Sequence, residues 1–442
     1  MKPAVSNIVT AAIVIVVLVG SVAGTYYATS GQAQTVTIRS TITQGGGGAT
    51  STVTNTVTAA SQAAEIKIGF ITSLTGVATD VGKQMIQGAQ YAVDQINNGG
   101  GLCYAGSCHK VSLDIVDNGD TTDIAVVSAN KLLQDQVVGV IGFLYTGSVF
   151  ATQTALMSHK VPILMTSASA VQLTNQVLTN YSQFKYMFRV GSNDSGLAYT
   201  GFSFLQLINA KSFYAIAEDF QYAHYEMGFL GNFTKSANIQ SLGVDFTPFS
   251  ATDYSSEILK IVNLHPSAVV GSFSGDNGFA FLKQYKADPV ASHIPIMFLG
   301  GPWGSKSTID TLNSAQPGSA DYIVDGTLGW NIPLTKLTSP FCQAIEKTFS
   351  FCNIGTQGVN YDAVQVLTNA IRTAGTTDPD ALVKVLEQTD LAGASGRLVF
   401  TAAHQVLLAP GFTQLPLIEW IKGSVYVIYP PNFAQQAYVR PP

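Results

Sequence analysis

Ile66-Lys-Ile-Gly-Phe-Ile-Thr-Ser-Leu-Thr-Gly76 opens the part of the chain whose reading decides the fold. Its first six residues form a short apolar run suited to a buried strand. Met85, Ile86, Ala89, Ala92, Val93 and Ile96 then recur at helical spacing, and the period stops at Asn98-Gly-Gly-Gly101. The same switch repeats downstream. Val111–Val116, Val137–Gly142 and Val161–Thr166 read as strands, with helical segments around Ala125–Leu133 and from Ser148. After Phe188-Arg-Val190 a second series begins, with strands at Phe213–Ala217, Leu242–Phe246, Ala268–Ser272 and Ile294–Leu299. Helices are expected near 196–208, 225–237, 254–263 and 277–287, then near 338–350 and 361–374, before a β-rich tail from Arg397 to Tyr429. Strand–helix alternation demands parallel sheets covered on both faces, so the expectation is an α/β chain with two doubly wound, Rossmann-like lobes.

The 442 residues exceed what one core usually supports, and 46 % hydrophobic content excludes a mostly disordered chain. Lys and Arg number 22 against 27 Asp and Glu, with no basic run, which argues against nucleic acid as a partner. Ile8–Gly24 is uncharged and apolar, close to the roughly 20 residues that span a bilayer, and Tyr26-Tyr27 follows where an interfacial belt would sit. Residues 1–29 therefore read as a transmembrane anchor, with a cleaved signal peptide as the alternative. Residues 30–64, rich in Ser, Thr, Gly and Ala, read as a flexible spacer that holds the globular part outside the cell. In that setting Cys103 with Cys108 and Cys342 with Cys352 suggest two local disulfides; a metal site competes, with His109 the one nearby histidine. Asn180, Asn193 and Asn232 begin glycosylation triplets.

Two strand-end loops are small and hydroxyl-rich: Tyr145-Thr146-Gly147-Ser148 and Thr166-Ser167-Ala168-Ser169-Ala170. Ligands in open α/β sheets bind beyond such strand ends, where helix-start N–H groups and hydroxyls can hold a carboxylate. Simple helix capping would use the same residues. No nucleophile elbow, phosphate loop or metalloprotease helix occurs, so catalysis and a cofactor are not expected.

The run Ile66–Gly76, then Gly88-Ala-Gln-Tyr-Ala-Val-Asp-Gln-Ile-Asn97, Asp117, Ala129–Leu132, Val140–Gly142 and Val161–Ala170 resembles the branched-chain amino acid (leucine/isoleucine/valine-type) substrate-binding proteins of ABC transporters. The leader and spacer are similar to those of the membrane-anchored archaeal members. The resemblance implies a type I periplasmic-binding-protein fold, its lobes joined by a three-crossing hinge. Lobe one would be 65–192 with 332–395, and lobe two 193–331 with 396–430, leaving 431–442 as a tail. It implies a small-molecule solute in the cleft and an ABC permease in the membrane as partners, with no catalysis; a sensory receptor is the alternative. It further implies that Thr146, Gly147, Ser148, Ser167, Ala168, Ser169 and Ala170 grip the solute's polar ends. Tyr145, Tyr222, Phe273 and Trp303 would then cover its body. The acid that pairs with a ligand ammonium in the family falls near Gly301-Pro302-Trp303, where this chain has no carboxylate, and Val171 replaces a hydroxyl. The expected solute is thus amino-acid-like or a carboxylate or amide, rather than a leucine-like zwitterion.

Overall fold

The computed structural model describes residues 35–43 and 50–58 by their backbone, and residues 64–442 apart from 77, 120, 302, 304–305, 316 and 327–331. It forms two units, 1–62 and 63–442. In the first, β1 (Thr35–Thr43) pairs antiparallel with β2 (Thr50–Thr58), Thr35 opposite Thr58. The expected spacer is thus not wholly irregular: alternating Thr, Val and Ile favour extended backbone. The expected anchor at 1–29 lies outside the described residues. Among the described residues no helix is long and apolar enough to cross a membrane.

The second unit begins with β3 (Ile66–Thr72), α1 (Thr79–Asn98), the hairpin β4 (Leu102–Tyr104) and β5 (Ser107–His109), and β6 (Val111–Asp117). Then come α2 (Thr122–Gln134), β7 (Val140–Gly142), α3 (Thr146–Ser158), β8 (Ile163–Met165), α4 (Val171–Thr179), α5 (Tyr181–Phe184) and β9 (Met187–Arg189). Apart from the β4–β5 hairpin, these strands make a parallel five-stranded sheet, β6-β3-β7-β8-β9. Ile68, Phe70 and Ile71 of β3 are wholly buried, as a central strand covered on both faces requires. Full burial of each such side chain contributes about 1.5–3 kcal/mol.

The chain crosses to a second series: α6 (Asp194–Leu207), β10 (Ser212–Glu218), α7 (Gln221–Ser236), β11 (Gln240–Thr247), α8 (Ser255–Leu264), β12 (Val269–Ser272), α9 (Asp276–Ala287), β13 (Ile296–Leu299), α10 (Lys306–Ala315) and β14 (Ile323–Gly326). It returns to the first sheet's side as α11 (Thr338–Phe349), a π-helical turn (Ile354–Gly358), α12 (Val359–Ala374), α13 (Pro379–Leu386), β15 (Asp390–Ala392) and β16 (Arg397–Val399). A third crossing leads to β17 (Leu417–Ile421) and β18 (Ser424–Tyr429). The second sheet runs β11-β10-β12-β13-β14-β17-β18, with the last two strands antiparallel to their neighbours. Two lobes linked by three crossings follow directly.

The third crossing comes later than the boundary expected at 396. Leu398, Phe400 and Val406 lie in the first lobe's core, and Gln405 bridges to Arg189 beside β9. Both local cysteine pairs are disulfides: Cys103–Cys108 closes the β4–β5 hairpin, and Cys342–Cys352 ties α11 to the segment before the π-helical turn. Asn193 caps α6 by accepting from the Gly196 N–H at 2.7 Å. Just before it, Gly191 passes so close to the Thr166 carbonyl that a Cβ would sit 1.9 Å from its oxygen. Only glycine lets the first crossing run under the end of β8. Asn180 and Asn232 are exposed, whereas Asn193 is half-buried.

A hydroxyl-lined cleft facing a buried carboxyl

The carboxyl ends of strands from both sheets meet at one cavity of about 110 Å³. Lobe one contributes Leu144, Tyr145 and Thr146 after β7, and Thr166, Ser167 and Ser169 after β8. Val81 of α1, Ser192 of the first crossing, and Gly355 and Thr356 of the π-helical turn complete that wall. Lobe two contributes Leu197 of α6, Tyr222 and Glu226 of α7, Phe273 and Ser274 after β12, and Leu299, Gly300 and Gly301 at the end of β13. The cavity is small against the roughly 300–1,000 Å³ of ordinary ligand pockets. Tyr145 reaches across the cleft: its ring lies 5.5 Å from that of Phe220 and 6.4 Å from that of Phe249, both in lobe two.

Of the residues anticipated from sequence, Tyr145, Thr146, Ser167, Ser169, Tyr222 and Phe273 line the cavity, and the others do not. Ser148 is buried behind it, accepting from the Asn118 amide at 3.2 Å, and Gly147 faces Thr122 of α2. Ala168 and Ala170 shape the second loop from beneath. Their carbonyl oxygens accept from the buried Arg189 guanidinium, from Nε at 2.8 Å and Nη2 at 2.5 Å respectively. The Ala170 N–H is itself donated to Thr146 Oγ1 at 3.3 Å, which ties the two loops together. Trp303 is a core residue. It is wholly buried and stacked on Phe298 at 3.8 Å, and its carbonyl accepts from Trp420 Nε1 at 2.8 Å. An indole has more to gain from that apolar layer than from a wet cleft.

The absent acid also has a geometric reason. Gly301 has a φ of +87°, and a Cβ there would lie 2.4 Å from the Phe273 carbonyl oxygen, so no side chain fits. A carboxyl reaches the cavity by another route. Glu226 stands one helical turn after Tyr222 on α7, and both line the cleft. Its Oε2 accepts from Ser272 Oγ at 2.6 Å, while Oε1, buried, has no hydrogen-bond partner among the described residues. Burial drives the Glu226 carboxyl well above the ordinary carboxylate range, and the neighbouring Asp194 and Glu218 push it the same way. Glu218, also buried and raised by burial, is by contrast fully engaged: it accepts from the Tyr222 hydroxyl, from Ser274 Oγ at 2.6 Å and from Asn277 Nδ2 at 2.9 Å.

Glu226, Ser274, Ser192 and Thr356 are the polar lining side chains that sequence reading missed, and the apolar Val81, Leu144, Leu197 and Leu299 were missed with them. The four-residue spacing from Tyr222 could have found Glu226, and adjacency to Phe273 could have found Ser274. Ser192 and Thr356 arrive from segments with no local signature. Chemically, the cleft offers hydroxyls and α3's N-terminal turn on one side and a hydrogen-bonding carboxyl on the other. Among the described residues no basic side chain lines it.

A model of the periplasmic binding protein family matches residues 65–414. The Leu/Ile/Val-binding protein homolog 3 of Brucella melitensis is 26 % identical over 372 residues, 82 % of this chain and 93 % of that protein. The Leu/Ile/Val-binding protein BraC3 of Rhizobium johnstonii is 35 % identical over 117 residues, 26 % of this chain and 31 % of that relative. Among solved structures, the branched-chain amino acid transporter substrate binding protein LivJ from Streptococcus pneumoniae, in complex with isoleucine, aligns with a TM-score of 0.70 at 21 % identity, over 83 % of this chain and 100 % of that one. A solute binding protein of an ABC transporter from R. palustris, in complex with benzoate, aligns with a TM-score of 0.69 at 18 % identity, over 82 % and 95 %. At such identities the two structures attest the fold.

Proposed function

This chain belongs to the periplasmic binding protein family, and from that premise we propose that it is the extracellular solute receptor of an ABC importer. In this reading the N-terminal segment holds it at the membrane. It delivers a small amino-acid-like solute, or a carboxylate or amide, to a permease. Its work is differential affinity between open and closed lobes, with no bond made or broken.

The observation that carries the reading is the opposition of Thr146, Ser167 and Ser169 to Glu226 across one interlobe cavity. Hydroxyls and the α3 N-terminus suit a carboxylate or amide carbonyl, and the free Glu226 oxygen suits an amine or amide N–H. Glu226 thereby supplies from α7 the acid that the end of β13 cannot, and an ammonium-bearing solute returns to the candidates. The relatives' names, and the isoleucine and benzoate of the two solved structures, keep both amino acids and ring-bearing acids in the panel.

Titration calorimetry of the full-length protein with isoleucine, leucinamide and benzoate tests the proposal. Micromolar or tighter binding of one of them, weakened in Ser167→Ala or Glu226→Gln, is the expected result. Millimolar or absent binding of all three, with neither variant changing it, would remove the cleft as a solute site.

A further inference from the structure

A second cavity, of about 730 Å³, lies on the hinge and is separate from the cleft. Its walls come from both lobes and from two of the crossings: Gly196 and Tyr199 of α6, Phe229 and Phe233 of α7, and the third-crossing stretch from Leu408 to Leu415. The rings form a connected wall, with Tyr199 perpendicular to Phe233 at 5.7 Å and Phe229 at 6.4 Å from Phe233. Tyr199 nevertheless remains 51 % exposed, a large apolar surface left facing water. Among the described residues none that lines the cavity is charged. One polar atom stands out: Thr413 is wholly buried, and its hydroxyl has no hydrogen-bond partner among the described residues. A buried hydroxyl without a partner is costly, and a ligand oxygen would satisfy it.

We propose that this hinge cavity is a second small-molecule site, taking an uncharged ring-bearing compound with a hydroxyl or carbonyl oxygen that hydrogen-bonds to Thr413. The volume falls within the ordinary range for such sites, the aromatic wall matches a ring, and the uncharged described lining favours a neutral ligand over an ionic one. Occupancy reaches the cleft through two side chains. Gln405 lines the hinge cavity and donates from Nε2 to the Gly191 carbonyl at 3.0 Å. Its Oε1 accepts from Arg189 Nη1 at 2.9 Å, and Arg189 holds the Ala168 and Ala170 carbonyls under the cleft loop. A ligand wedged between the first and third crossings therefore steadies both the hinge and the loop that bears Ser167 and Ser169.

The probe is 4-fluorophenol, followed by fluorine NMR on the full-length protein. Saturable binding is expected. It should be lost in Ala409→Phe and in Gln414→Trp, the latter at a half-buried position where a larger ring costs the fold little. It should weaken about fivefold in Thr413→Val, which removes the hydroxyl at constant shape, and be unchanged in Glu226→Gln. On the wild-type protein, hydrogen exchange should slow at 406–415 and, through Arg189, at 167–170. Absence of saturation overturns the site, as does binding that survives both filling variants or is lost in Glu226→Gln. An unchanged affinity in Thr413→Val overturns the hydroxyl contact. Protection confined to 406–415 overturns the link to the cleft.

Discussion

Ser272 donates its hydroxyl to Oε2 of Glu226 at 2.6 Å, and this one contact turns a buried helical carboxyl so that its other oxygen is left for the cleft. The two residues lie 46 positions apart, on β12 and α7. Glu226→Gln is expected to weaken binding of an ammonium-bearing solute roughly 10- to 100-fold, the size of a hydrogen bond to a charged group. Thermal stability at pH 7 should stay or rise, because a buried acid is removed. Burial raises the Glu226 carboxyl, and an ammonium bound beside it would pull the same group back down. Calorimetry in buffers of different ionisation enthalpy, repeated across about pH 5 to 8, should therefore show proton release on binding an ammonium-bearing solute and none for a neutral amide. Equal proton release for both would contradict the pairing.

Tyr145 makes its ring contacts with Phe220 and Phe249 across the lobes, so it acts on closure as well as on the solute. Aromatic pairs of this kind contribute about 0.5–1.5 kcal/mol each beyond area burial. Tyr145→Ala should leave the melting temperature within a few degrees of the parent and expand the solute-free protein in small-angle scattering, while lowering solute affinity about tenfold. Trp303→Phe should do the reverse, because Trp303 packs on Phe298 in the core. A loss of affinity without a loss of stability in Trp303→Phe would return that indole to the site.

Several buried carboxyls carry raised pKa values in the folded protein. Burial pushes Asp194 and Asp362 up to about 6 and Glu419 up to about 7. In the unfolded chain these groups titrate near 4, so between about pH 4 and pH 7 the folded state binds more protons than the unfolded one. Stability contributed by these groups therefore falls as pH rises through that window. The melting temperature should be higher at pH 5 than at pH 7.5, and Glu419→Gln should flatten the upper part of the profile. A melting temperature that climbs steadily from pH 5 to pH 7.5 would refute this.

The two disulfides differ in what they touch. Cys342–Cys352 adjoins the π-helical turn that places Gly355 and Thr356 in the cleft, whereas Cys103–Cys108 closes a hairpin that contributes nothing to its lining. Cys342→Ser with Cys352→Ser is expected to cost about 2–3 kcal/mol in a denaturant titration and to weaken solute binding. The paired replacement at 103 and 108 should lower stability without moving the affinity. Equal effects on affinity from the two pairs would show that the turn does not depend on its covalent tie.

The sequence by itself determined the two βα series, the cysteine pairing, and the placement of hydroxyl-rich loops at Thr146 and Ser167, because each is written in neighbouring residues. Hydrophobic period follows hydrogen-bonding geometry within one element, and cysteines five or ten residues apart meet through local chain alone. The tertiary structure decided which of those side chains face the solute. It put Trp303 into the second lobe's core, Ser148 behind its loop, and Glu226, Ser192 and Thr356 at the cavity wall. A cleft is made where elements more than a hundred residues apart converge, and the facing of each side chain there depends on packing across both lobes. Gly301 shows the difference: composition records only a missing carboxylate, while the approach of the Phe273 carbonyl explains why none can stand there.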